Sequence, residues 1–132
     1  MKKLTAAKWP AGLLVVLIAC LATGMAYAQT PSPEDLQKAV QSAYANCEAT
    51  RKIVDNAIKG LDPKLGSGAT EGLKHEVADA KEWFKKADDL LAQSKKKMDE
   101  KKFDKELVEN LNQAWRWYVE AGSAAVRASM MD

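Results

Sequence analysis

Glu71, His75 and Asp79 sit four residues apart around the chain's single histidine. On a helix that spacing stacks all three on one face. Two carboxylates and an imidazole are ligand types a divalent transition metal accepts. Three ligands on one exposed face lack the closed, preorganised geometry of tight sites, so the row predicts at most a weak metal carrier, and a solvated helix face explains the same residues. Covalent haem attachment would need a Cys-x-x-Cys-His segment, which the sequence does not contain.

The two cysteines have different surroundings. Cys47 falls within an apolar helical series, where a lone cysteine behaves as a small buried hydrophobe. An intermolecular disulfide is the other use open to it in an oxidising compartment. Cys20 follows Leu17-Ile18-Ala19, a small-residue-then-cysteine pattern that lipoprotein processing uses. No nucleophile, base and orienting acid recur at a recognisable spacing, and Gly66-Ser67-Gly68 reads as loop punctuation rather than a phosphate cradle. The sequence therefore predicts no catalytic residue, no cofactor and no enzyme.

The elements that position these residues begin after a leader. Lys2, Lys3 and Lys8 precede an apolar run, and Ala26-Tyr27-Ala28 precedes the polar Gln29, the three-part layout of a secretory signal cleaved after Ala28. Cleavage before Cys20, with lipid on that cysteine, is the alternative. It fits less well because Leu21 to Met25 stays apolar where lipoproteins turn polar. Either cut predicts a domain outside the inner membrane, in the periplasm, touching the membrane only through the leader or a lipid on Cys20. Residues 1–28 carry three of the twenty basic residues and none of the eighteen acidic ones, so the rest of the chain is one charge negative. That balance excludes nucleic acid as a partner, since its binders cluster basic surface.

About a hundred residues remain, enough for one core. After a linker at 29–33, three heptad-like series predict helices over about 34–60, 70–98 and 104–129, within a bundle spanning 34–130. Ser32-Pro33-Glu34-Asp35 opens the first as a cap, and its inward positions run Leu36, Val40, Ala43, Cys47, Thr50, Val54, Ala57 and Leu61. The second runs Leu73, Val77, Ala80, Phe84, Ala87, Leu91, Ser94 and Met98, and the third Leu107, Leu111, Ala114, Tyr118, Ala121, Ala125 and Ala128. Short connections predict an all-α, antiparallel up-down-up three-helix bundle. Folding the chain back about Leu65 and Lys101 predicts one layer of Cys47, Phe84 and Tyr118, flanked by thin layers of Thr50, Ala80, Ala121 and of Ala43, Ala87, Ala114.

The third helix carries more apolar surface than two neighbours need. Val108, Trp115, Val119, Gly122 and Val126 form a second stripe about 100 degrees from the inward series, with Trp117 and Ala124 on the other flank. Tryptophans folding over the seams would account for part of it. A small apolar ligand beside the thin Thr50 layer, walled by Trp83 and Trp117, is a further use. The stripe also suits an interface, with Gly122 letting another helix approach. The sequence thus predicts a non-enzymatic binding or structural role exercised through Trp115, Val119, Gly122 and Val126, which would receive a second copy or a helical protein partner. A small metal or apolar-ligand carrier is the alternative.

Overall fold

The computed structural model describes residues 32–131. The expected signal segment, its cleavage site at Ala26, Ala28 and Gln29, and Cys20 lie outside the described residues. The rest is three long helices, α1 (Pro33–Lys59), α2 (Glu71–Asp99) and α3 (Lys105–Ser129), with one 3-10 turn at Asp62–Leu65 and no strand among the described residues. Each helix begins within one residue of its expected start. Thr70 and Asp104 fall just outside because they are the caps: each is extended, and its side-chain oxygen accepts from the N–H of Leu73 (3.2 Å) or Leu107 (2.7 Å). At α1 the Ser32 hydroxyl accepts from Asp35 N–H at 3.2 Å. Asp35 accepts in return from Ser32 N–H at 3.4 Å, with Pro33 opening the helix.

The turn between α2 and α3 reverses at Lys101, which holds the left-handed conformation at φ 62° while Lys102 N–H reaches back to the Lys97 carbonyl at 3.0 Å. That arrangement is normally occupied by glycine, because a Cβ costs about 1 kcal/mol there. Lys101→Gly is accordingly expected to raise stability by up to about 1 kcal/mol, read as an increased melting temperature.

Cross-helix contacts give the helices their sense. Phe84, Asp88, Glu76 and Lys97 of α2 meet Tyr118, Tyr118, Arg127 and Glu106 of α3, so these two run in opposite directions. Cys47, Thr50 and Val54 of α1 meet Leu111, Trp115 and Gly122 in order, so α1 and α3 run the same way. The third helix packs extensively against both others, while α1 and α2 touch each other least. It is the central rod, and its width of apolar surface follows from that place. Lys64, on the turn after α1, closes the far end by donating to the Ser129 and Met131 carbonyls at 2.8 and 2.7 Å, satisfying exposed groups at the end of α3.

The inward series predicted for α3 is buried throughout, and most positions of the other two are buried as well. Leu36, Ala57, Phe84 and Met98 are half-buried, and Ile58 takes the place expected of Ala57. The register between α2 and α3 follows the fold about Lys101: Phe84 and Tyr118 stack edge to face with ring centroids 5.5 Å apart. The register of α1 is shifted toward the start of α3 by about one turn from that of a fold about Leu65: Val54 packs on Gly122, and the Cys47 Sγ lies 3.1 Å from the Leu111 carbonyl while Cys47 still acts on the Tyr118 phenol. Thr50 receives the Trp115 indole N–H. The connection from α1 to α2 is no symmetric hairpin. It includes a 3-10 turn and sinks Leu61 into the core, so contact with α3, not the loop, sets the height of α1.

Candidate functional site

The expected interface stripe divides in two. Its N-terminal half is interior: Val108 is 1 % exposed and Trp115 8 %, and the Trp115 indole N–H donates to the Thr50 hydroxyl at 3.1 Å inside the α1/α3 seam. Trp115 is therefore not available to a partner. It occupies the room beside the small Thr50 side chain. Ala124, on the opposite flank, is fully buried, and Trp83 and Trp117 are half-buried, with the Lys86 ammonium 4.9 Å above the Trp83 ring.

The C-terminal half stays at the surface. Val119 and Gly122 are half-buried, and Val126 is exposed. With Ile53 and Val54 of α1, and Ser123 and Arg127 at the rim, they line a groove of about 360 Å³ between the two parallel helices. Gly122 forms part of its floor. A Cβ at that position would stand 3.2 Å from the Val54 Cγ2, tighter than ordinary contact, so the missing side chain serves first to let α1 approach α3 within the chain. The sequence placed Gly122 at a helix approach, but the approaching helix is the chain's own. Ile53 is the wall the sequence reading missed. It lies outside the inward series of α1, and only the neighbouring Val54 hinted that the apolar face turns the corner toward α3.

Apart from the rim residues Ser123 and Arg127, the groove is aliphatic, and no ionisable side chain points a proton-transfer group into it. Such a surface can bind apolar groups by removing them from water, at roughly 25 cal/mol per Å² of area covered. Arg127 bridges to Glu76 of α2 through Nε at 3.1 Å.

A second polar cluster binds all three helices together on the other side. Asp88 of α2 accepts from Tyr118 Oη of α3 at 2.5 Å and from Arg51 Nε and a terminal guanidinium nitrogen of α1 at 2.8 and 3.2 Å. The Arg51 guanidinium also lies 5.2 Å over the Phe84 ring. Burial, and then the hydrogen bond to Asp88, push the Tyr118 phenol well above its ordinary range. The hydrogen bond to Asp88 raises Arg51 further still. The charges are thereby neutralised within the cluster, which acts as a brace across the bundle. Its members lie outside the periodic apolar series, except Phe84 and Tyr118, so the sequence offered no signal pairing Arg51 with Asp88.

Glu71, His75 and Asp79 do lie along one side of α2, where Glu71 has a partner outside the row and the other two meet each other. Lys74 pairs with Glu71 at 3.3 Å, and His75 meets Asp79 at 3.4 Å, with Glu71 and His75 largely exposed. Among the described residues no three such groups converge where an ion would sit. Nor is any described helix long and apolar enough to cross a membrane. Set beside protein-family models, curated proteins and solved structures, the chain matches none of them.

Proposed function

We propose that this chain is a non-enzymatic binding protein of the cell envelope, exported by residues 1–28 and cut after Ala28, whose working surface is the α1/α3 groove. Its partner is an apolar helix, either from a second copy or from another protein. The observation that carries this reading is the position of the groove. An aliphatic hollow lined by Ile53, Val119, Gly122 and Val126 opens on a bundle whose outer faces otherwise alternate lysines with acids. Exposed apolar surface costs solubility, and contiguous patches rimmed by polar residues mark association sites. The metal-carrier alternative has less behind it, because Lys74 already meets Glu71 and no three such groups converge among the described residues.

Photo-crosslinking in cells tests the proposal. A photoreactive amino acid at Val126 is expected to give a discrete protein adduct, whereas the same group at the exposed Lys81 gives none. Equal labelling from both positions, or none from either, would remove the groove from consideration.

A further inference from the structure

The observations carry the groove reading one step further, to its occupant. Among the described residues the large hydrophobic side chains left exposed are Val126 and Met130, at 38 % and 80 %, the first on the outward flank of α3 and the second at its C-cap. With Val119 and Ser123 they make a seam spaced four, three, four, the repeat by which one helix packs along another. Glu120 and Arg127 stand beside this seam one heptad apart, both exposed and opposite in sign. In an antiparallel pair of identical helices, equivalent flanking positions of the two copies face each other. In a parallel pair the positions opposite these two would be Trp115 and Gly122, which carry no charge.

We infer that the occupant is a second copy of this chain, its α3 laid antiparallel along the first. This rests on the groove being a binding surface at all. Val119 then meets the partner's Met130, Ser123 meets the partner's Val126, and the two-fold axis repeats both layers. Met130, unbranched and flexible, fills the irregular hollow bounded by Ile53 and Val119. Glu120 lies beside the partner's Arg127, and this pair also occurs twice. Arg127 meets Glu76 through Nε, and a guanidinium has five N–H donors, enough to serve a second carboxylate. The apolar layers supply affinity, and the charges set direction and register.

Charge reversal in the purified chain tests this by sedimentation. The wild type is expected to dimerise at high concentration. Glu120→Arg, which puts arginine at both flanking positions, and Arg127→Glu, which puts glutamate at both, are each expected to be monomeric. Mixed in equal amounts they are expected to pair with each other and recover the dimer. Thermal melts check folding, and since Arg127→Glu also disturbs the contact with Glu76, Arg127→Gln serves as its control: it should weaken the dimer without abolishing it. A strictly monomeric wild type, variants that dimerise as the wild type does, or a mixture that stays monomeric would each overturn the inference. If the wild type is monomeric but Val126 still crosslinks in cells to a different polypeptide, the second copy is wrong and the groove reading stands.

Discussion

Replacing Tyr118 with alanine is expected to cost about 3–5 kcal/mol, among the largest losses any single truncation in this bundle should produce. Tyr118 is fully buried at the centre of α3, the rod both other helices pack against. Its ring holds the edge-to-face contact with Phe84, and its hydroxyl donates to Asp88, which in turn holds Arg51. Truncation leaves a ring-sized cavity and removes one end of the brace, leaving Asp88 with Arg51 alone. Native domains are stable by only about 5–15 kcal/mol, so denaturant titration should show the variant near the edge of folding. Tyr118→Phe keeps the ring and should lose about 1.5 kcal/mol, the low end for a hydrogen bond to a charged group, because Asp88 is one-third exposed and water can replace the donor.

The same pair of chains separates on the alkaline side. Folding raises the Tyr118 phenol above its ordinary value near 10, so its contribution is intact below that pH and is lost as pH rises past it, where the unfolded chain releases a proton the folded chain retains. Wild-type stability should therefore fall faster above about pH 10 than that of Tyr118→Phe. A smaller common slope remains from Tyr44, whose phenol burial also raises. Identical alkaline limbs in the two chains would show that folding does not raise the Tyr118 phenol.

Trp115→Ala is expected to cost a further large amount, about 3–5 kcal/mol, and to do so in the isolated bundle. The side chain is 8 % exposed and fills the seam between α1 and α3, with its N–H on the Thr50 hydroxyl. Melts at low and high protein concentration should show the same loss, because the contacts removed are within one chain. A variant that melted like the wild type when dilute but failed to associate would return Trp115 to the outer surface. Trp115→Phe tests the polar half of the contact. It leaves Thr50 without its donor, at a cost of about 1–3 kcal/mol, and Thr50→Val in the same chain should recover part of it.

Three helices, the Ser32 cap and most inward positions were legible because each follows from local rules. A four-three repeat marks a face, and Ser32, Thr70 and Asp104 offer side-chain oxygens where the backbone N–H groups have no helical partner. The α2/α3 register was legible too, since the tight turn at Lys101 ties Phe84 to Tyr118 by chain geometry alone. The surface half of the predicted stripe, Val119, Gly122 and Val126, lines the groove.

Tertiary structure decided what local rules leave open. The connection around Leu65 is long enough to let α1 slide, so its height was set by where the bulk of Trp115 fits against the small Thr50 and where Gly122 admits Val54. Periodicity tells which side of a helix is apolar but not how many neighbours share that side. That α3 is the central rod, and so hides Val108, Trp115 and Ala124 while leaving Val126 outside, depends on the unequal packing of three helices. The brace of Arg51, Asp88 and Tyr118 is likewise a product of assembly, because charges distant in sequence attract only after packing has brought them within reach.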